Sequence, residues 1–260
     1  LHIIYKGKGR REDLSNSRFV HCKEWWPRVV ESLVVEDGLK GPLIEGSSIF
    51  QIGGQPGHRS EELMFVLKSL VARLRKQGKL VVLQSYDISK FFDKEKIEDA
   101  AITCLNRGAD PKAVRLWFKL NQNTKIQVRT GAGMTKQADV GAVVGQGMLG
   151  GALVSQGVLD EAVMEHLPPG EPSQMEYGDV PLAPLIWMDD FISSTDNLEK
   201  ARLINTKVDF LIKQKGLSLN EEKSVCLIIG SRKQKKRATE DLLAQPLMCG
   251  KFETQEKQLD

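Results

Sequence analysis

The chain has 260 residues, 41% of them hydrophobic, and a formal net charge of +3. This length and apolar content are enough to bury a sizeable core, which excludes a disordered chain. The small net charge is only weak electrostatic evidence for nucleic-acid binding, compared with the charge of a dedicated basic binding domain. The four cysteines are far apart and form no Cys-x-x-Cys pair, so neither a zinc cluster nor a disulfide framework is indicated.

Composition also bounds the location of the protein. No apolar run reaches the roughly 18 residues of a membrane span, and no secretion signal precedes the first residue. We therefore expect an intracellular protein, in the nucleus or cytoplasm, with no membrane partner. Because the chain starts at Leu1 and enters directly into a motif, we expect it to be part of a longer protein.

The first 60 residues are rich in turns and basic side chains. Lys6 and Lys8 alternate with glycines, and Arg18 follows a turn at Asn16. Glycines allow a close backbone approach while Lys and Arg supply charge for a triphosphate, although composition alone favours a solvated loop. A helix is predicted over residues 23–35 with Pro27 in its first turn, and its two adjacent tryptophans are expected to be packing residues.

A clear amphipathic helix is predicted to follow. Ser60 is predicted to cap its N-terminus, and Gly78 to end it. Its apolar stripe has the 3.6-residue period of a helix and consists of Leu63, Val66, Leu67, Leu70 and Leu74.

Two apolar strands are predicted to end in carboxylates. One runs from Leu80 to Asp87, and the other ends in the adjacent pair Asp189 and Asp190. Neighbouring ionised side chains repel one another, and bound cations relieve that cost; taken alone, however, an Asp-Asp pair is more often a solvated turn. Two strand ends that face one another could share two hard cations about 3.5–4 Å apart, which is the chemistry of nucleotidyl transfer.

The remaining elements complete an alternation of helices and strands. Helices are predicted over residues 94–104, 111–120, 149–166 and, with Asp196 as cap, up to Gly216. Strands are predicted over residues 124–129 and 225–229, and the basic run 232–237 is predicted to be an exposed loop. This order indicates an α+β fold with a small antiparallel sheet backed by helices.

Four stretches in this order resemble motifs A, B, C and D of the reverse transcriptases, most closely those of non-LTR retrotransposons. They contain Asp87, the Gln146-Gly147 turn, the Asp189-Asp190 pair and the segment 216–223. Residues 5–18 and 48–60 are similar to the two fingers motifs of that family. The resemblance implies a right-hand polymerase with fingers at residues 1–82, a palm at 83–245 and the start of the connection to the primer grip and thumb at 246–260, the thumb itself being missing. Residues 105–145 either are part of the palm or pack with the fingers.

The same resemblance assigns roles to individual residues. Asp87, Asp189 and Asp190, with the Ile88 carbonyl, would hold two Mg²⁺ ions, or Mn²⁺, and Lys223 would protonate the leaving pyrophosphate. Residues expected to bind the incoming nucleotide are Lys6, Lys8, Arg18, Ser89, Phe91, Phe92, Gln146 and Gly147. Residues expected to contact nucleic acid are Gln55, His58, Arg59 and Trp187.

The implied activity is that of an RNA-dependent DNA polymerase, which uses an RNA template, a DNA or RNA primer and a dNTP. Phe92 falls where this family places an aromatic gate against the ribose 2′-hydroxyl, although simple core packing beside Phe91 is the alternative. Two other functions stay open: an RNA-dependent RNA polymerase, which Phe92 disfavours, and a catalytically silent remnant that binds nucleic acid or serves a structural role.

Overall fold

The computed structural model describes residues 2–130, 133–139, 144–145, 147–170, 176–177, 180–247 and 251–254. Its α-helices are α1 (Trp25–Val34), α2 (Lys40–Glu45), α3 (Ser60–Lys76), α4 (Phe91–Lys94), α5 (Ile97–Asn106), α6 (Pro111–Asn121), α7 (Gly151–His166), α8 (Leu198–Gln214) and α9 (Arg232–Ala244). Its strands are β1 (His2–Tyr5), β2 (Ser17–Val20), β3 (Val81–Asp87), β4 (Lys125–Ile126), β5 (Arg129–Thr130), β6 (Gly133–Met134), β7 (Ala138–Asp139), β8 (Glu176–Tyr177), β9 (Val180–Pro181), β10 (Leu185–Trp187), β11 (Asp190–Thr195), β12 (Val225–Ile229) and β13 (Lys251–Thr254). A 3₁₀ turn covers Leu14–Asn16, and a π-helical turn joins α1 to α2 at Val35–Leu39.

The first of two compact units combines residues 1–47 with residues 90–158. Strands β1 and β2 form an antiparallel hairpin. The core of the unit lies between the π-helical turn, α2, α5 and α6, and its fully buried side chains include Leu39, Leu43, Ile97 and Trp117. Helix α6 begins as predicted, with the Asp110 carboxylate accepting from the Lys112 backbone N–H and proline at the first helical position.

The two tryptophans of helix α1 are exposed, whereas they were predicted to pack in the core. Trp25 and Trp26 stack on each other with ring centroids 4.2 Å apart, but they are 63% and 61% exposed, so their assignment to packing is wrong. The reason is that α1 buries Glu31 instead, which forms an ion pair with Lys23 at 3.0 Å.

The second unit combines residues 48–89 with residues 159–260 and is built around one sheet. The strand order is β10-β11-β3-β12-β13, and neighbouring strands are antiparallel except for the parallel pair β12 and β13. The predicted antiparallel sheet backed by helices is therefore confirmed. The boundaries between fingers, palm and connection stay predictions.

Helices pack on both faces of this sheet because consecutive strand residues, whose side chains point to opposite faces, are apolar. Val81 and Ile229 lie in a cluster with the α3 stripe, as do Leu83 and Leu227 beside them. Val82, Cys226 and Ile228 lie in the opposite cluster, with residues of α8 and α9. Burial raises the pKa of the Cys226 thiol to about 12, so this cysteine packs as an uncharged apolar group.

Four local predictions are wrong in detail. Ser60 does not cap α3 but is its first residue, and the N-cap is Arg59, whose side chain makes no cap hydrogen bond. The N-cap of α8 is Asn197, whose side chain accepts from the Lys200 N–H at 2.8 Å, whereas Asp196 forms an ion pair with Lys200. The basic run 232–237 is not a loop but the start of α9, because Ser231 and Gln234 form a capping box. The strand expected over residues 124–129 is reduced to the short β4 and the beginning of β5.

No helix within the described ranges is long and apolar enough to cross a membrane.

Candidate active site

Strand pairing in the second unit brings the predicted carboxylates together. Asp190 is the direct cross-strand partner of Asp87, and it pairs on its other side with Trp187. Directly opposed residues of an antiparallel pair project from the same face of a sheet with Cβ atoms about 4.5–5.5 Å apart. Met188 and Asp189 form the two-residue turn between β10 and β11. The predicted convergence of Asp87, Asp189 and Asp190 is thus present, although they come from segments about a hundred residues apart.

The electrostatics of the three carboxylates show that they interact. The pKa of Asp190 is raised from its ordinary value of 3.8 to about 6. Desolvation of the carboxyl group is the largest cause, even though the residue as a whole is exposed, followed by repulsion from Asp189 and then Asp87. The Lys223 ammonium acts in the opposite direction and lowers this pKa. The protein therefore holds anionic oxygens at a cost that a bound cation would relieve.

A loop after α8 fixes the end of β3. The Asn220 backbone N–H donates to the Asp87 carbonyl at 2.8 Å, and the Ser89 N–H donates to the Ser218 carbonyl at 2.8 Å. The buried Ser224 hydroxyl oxygen accepts from the Asp87 N–H at 3.1 Å. These contacts hold the backbone on both sides of the Asp87 side chain.

Lys223 in the same loop supplies a cation to the site. Its Nζ lies 3.3 Å from Asp87 Oδ1, and its side chain is 68% exposed. Ile88 forms an antiparallel bridge with Leu219. The hydrogen bonds around that bridge are made by the flanking residues. They occupy the Asp87 carbonyl but not the Ile88 carbonyl.

The donor set at this site suits a hard divalent cation. Carboxylate and carbonyl oxygens are the ligands that Mg²⁺ and Mn²⁺ take. Among the residues that the structure describes, however, no group of three or more His, Cys, Asp or Glu side chains is arranged so that it could hold a metal ion. The oxygen ligands match Mg²⁺ in chemical type, and their mutual repulsion favours a cation, while the counter-charge that the structure shows at Asp87 is Lys223.

The predicted nucleic-acid-binding residues lie in the second unit. His58 and Arg59 are exposed and Gln55 is half-buried in the segment before α3. His58 Nδ1 lies 2.7 Å from Glu62 Oε2, and Arg59 is the residue before the first turn of α3. Trp187 is half-buried and packs against the cluster that contains the α3 stripe.

Most of the predicted nucleotide-binding residues lie in the first unit. Lys6, Lys8 and Arg18 are exposed on the β1–β2 hairpin and its connecting loop. Phe91 is 3% exposed and Phe92 is half-buried, with ring centroids 5.8 Å apart.

The glycine-rich turn of the first unit also carries two of these predictions. A Cβ atom on Gly147 would lie 2.9 Å from the His21 carbonyl oxygen, so this glycine permits close packing on the end of β2. Gln146 lies outside the described residues.

Several residues that shape the site were missed from the sequence. Asn220 and Ser224 could have been noticed because they flank Lys223 in the fourth motif. Gly53 and Met188 carried no signal. A Cβ atom on Gly53 would lie 2.5 Å from the Met188 backbone nitrogen, and this close approach joins segments about 130 residues apart.

No protein-family model matches the sequence, and no curated protein matches it. Solved structures do match, and they identify the fold. The telomerase from Candida tropicalis in complex with the TWJ fragment of telomeric RNA matches with a TM-score of 0.58 at 12% identity, over 78% of this chain and 35% of that chain. The chain has a reverse-transcriptase-like fold. Telomerase from Candida albicans, also in complex with the TWJ fragment, matches with a TM-score of 0.52 at 10% identity, over 79% of this chain and 34% of that one.

A third telomerase structure agrees with this assignment. Apo telomerase from Candida tropicalis matches with a TM-score of 0.52 at 14% identity, over 80% of this chain and 37% of that chain. The chain thus spans about a third of the length of the telomerases that it matches.

Proposed function

We propose that this chain is the fingers and palm of an RNA-dependent DNA polymerase of the non-LTR retrotransposon type. The observation that carries the proposal is the opposition of Asp87 and Asp190 at the end of an antiparallel sheet, with Asp189 in the adjoining turn. The fold of the matched telomerases supports a polymerase of this class. The proposed partners are an RNA template, a DNA or RNA primer and a dNTP.

In this proposal Asp87, Asp189, Asp190 and the Ile88 carbonyl hold two Mg²⁺ ions, for which Mn²⁺ could substitute. Bound there, the ions would activate the primer 3′-hydroxyl and stabilise charge on the leaving phosphate oxygens. The chain's own contribution is to orient its carboxylates through the register of β3 and β11 and through the hydrogen bonds of Asn220 and Ser224.

Lys223 is the group that we assign to proton transfer. The Lys223 ammonium contacts Asp87, yet the side chain is largely exposed. It can therefore reach a group bound beside the carboxylates without first leaving a buried position. A lysine donating to the leaving pyrophosphate would act as a general acid in nucleotidyl transfer.

The direct test is primer extension on an RNA template annealed to a DNA primer, with dNTPs and Mg²⁺. We expect extension by the chain and a loss of at least about 100-fold in Asp87→Asn, because losing an ionic ligand should exceed the 10–100-fold typical of residues that only support ligands. Asp139→Asn, on the exposed β7, is the matched control and should leave extension unchanged.

Three outcomes would overturn the proposal. Absence of extension would favour a catalytically silent module. A preference for rNTPs would favour an RNA polymerase. Equal activity of Asp87→Asn and the parent would exclude Asp87 from the reaction.

A further inference from the structure

The segment before α3 pairs in parallel with the outer edge of β10 through one isolated bridge. The Ile186 N–H donates to the Phe50 carbonyl at 2.9 Å, and the Ile186 carbonyl accepts from the N–H groups of Ile52 and Gly53 at 3.0 and 3.2 Å. Gln51 and Ile186 form a parallel bridge. The segment therefore contacts the strand that leads directly into the turn at Met188 and Asp189.

Gly53 makes the closest approach in this contact. A Cβ atom at this position would lie 2.5 Å from the Met188 backbone nitrogen and 2.8 Å from the Trp187 Cα atom. Backbone atoms cannot rotate away as the end of a flexible side chain can. Any side chain at position 53 must therefore displace either its own segment or the turn at residues 187–190.

The turn that Gly53 contacts has a strained backbone. Met188 has φ of +59°, whereas Asp189 is not in the positive-φ region. A positive φ in a two-residue hairpin turn is a conformation that glycine adopts readily and that a residue with a side chain disfavours. A left-handed non-glycine residue costs about 1–3 kcal/mol and persists only where its surroundings hold it.

Gln51 fixes the conformation of the contacting segment. Its side chain is 3% exposed, and its Nε2 donates to the Gly53 carbonyl at 2.8 Å. This bond closes a local loop across Ile52 and sets the direction in which the Gly53 backbone faces the turn.

We propose that Gly53 and Gln51 are positioning residues that hold the Met188 turn in its strained form and thereby set Asp189 and Asp190 opposite Asp87. Neither residue reaches the reacting atoms; each acts through the backbone of the turn. The consequence for polymerisation rests on the proposed function, but the effect on the hairpin does not.

The test compares Gly53→Ala with Gly41→Ala by hydrogen exchange in the absence of metal. Gly41 is the matched control because it is exposed in α2 and a Cβ atom there meets nothing within 4 Å. In Gly53→Ala we expect the amides of residues 186–192 to exchange faster by about tenfold or more, with those of α8 and β12 unchanged. Gly41→Ala should exchange as the parent does.

A second substitution separates positioning from general support. Met188→Gly removes the cost of the positive φ and lets the turn form in a shifted position, so it should restore hairpin protection in the Gly53→Ala background. Primer extension should not be restored, because a shifted turn no longer sets the two carboxylates opposite Asp87. We expect kcat to fall at least about tenfold in the double variant with little change in KM for dNTP, as for an interaction that acts on the transition state.

Gln51→Met keeps the inference testable if Gly53→Ala does not fold. It preserves side-chain volume and removes the bond to the Gly53 carbonyl, and it should speed exchange in residues 186–192 while leaving the unfolding midpoint nearly unchanged. Exchange equal to that of Gly41→Ala, or faster exchange throughout the second unit, would overturn the positioning role. If the parent extends no primer, the proposed function fails, while the exchange data still decide this inference.

Discussion

Asp87 and Asp190 face each other directly across β3 and β11, with both carboxylates on the same face of the sheet. Like charges directly opposite one another destabilise a strand pair. The sheet therefore carries a repulsion at its end that its own packing does not remove. Lys223 offsets part of it at Asp87, and a divalent cation would offset more.

Removing one of these charges should separate activity from stability. In the absence of metal at pH 7.5, we expect Asp189→Asn and Asp190→Asn to hold or raise the unfolding midpoint, because each substitution relieves repulsion. Polymerisation should fall by at least about 100-fold. Thermal unfolding and primer extension check the two halves, with Asp139→Asn as control. Earlier melting of either variant, or full activity in it, would contradict the assignment.

Asp190 should make stability depend on pH in a defined direction. Its pKa is about 6 in the folded protein against an ordinary value of 3.8, so between those pH values the folded state binds more protons than the unfolded state. Stability from this group is present below pH 3.8 and is lost as pH rises through about 6. Urea unfolding in EDTA should therefore show a larger advantage of Asp190→Asn over the parent at pH 7.5 than at pH 5. An advantage that does not change with pH would contradict it.

The sequence predicted those parts of the site that depend on local pattern. The α3 stripe follows from its helical apolar periodicity, and β3 and β10 follow from the apolar runs before Asp87 and before the Asp189-Asp190 pair. The Asn197 cap was missed because neighbouring Asp196 suits a helix N-terminus equally well by type. The Gly53–Met188 contact could not be predicted at all, because a close approach of two backbones depends on tertiary packing.

Ser224 should prove necessary for the position of Asp87. Ser224 is buried and Asp87 is half-buried, so Ser224→Ala leaves the Asp87 N–H without its acceptor in a partly buried bond, which should cost about 1–3 kcal/mol of unfolding free energy. Ser224→Thr keeps the hydroxyl oxygen and should recover most of this stability. Denaturant unfolding of the two variants measures the difference. Equal loss in both variants would indicate that side-chain volume, not the hydrogen bond, matters at this position.

Lys223→Arg should distinguish a proton donor from a simple counter-charge. Arginine can keep the ion pair with Asp87, but its pKa above about 12 prevents it from donating a proton. We expect a fall in kcat of about 100-fold, within the range for general acid catalysis, and little change in stability because exposed pairs contribute about 0–1 kcal/mol. Single-turnover extension measures the rate. Full activity in Lys223→Arg would show that Lys223 acts only through its positive charge and not as a proton donor.

Phe92 should select the sugar of the incoming nucleotide. It lies five residues after Asp87, and unlike Phe91 it is only half-buried, so it is not enclosed in the core as Phe91 is. An aromatic ring at that place would exclude a 2′-hydroxyl by shape. Phe92→Val should therefore admit rNTPs while dNTP use falls only modestly. Discrimination of this kind is worth about 1–3 kcal/mol, or about 10–200-fold in the ratio of kcat/KM values.

The assay is primer extension on an RNA template with dNTPs or rNTPs supplied separately. Phe65→Val is the matched control, because Phe65 is 69% exposed on α3 and belongs to none of the predicted sites. An unchanged preference for dNTPs in Phe92→Val would make Phe92 a packing residue beside Phe91, whose ring centroid lies 5.8 Å away. A preference for rNTPs in the parent would be incompatible with a reverse transcriptase, because the ring would then fail to exclude the hydroxyl it is proposed to sense.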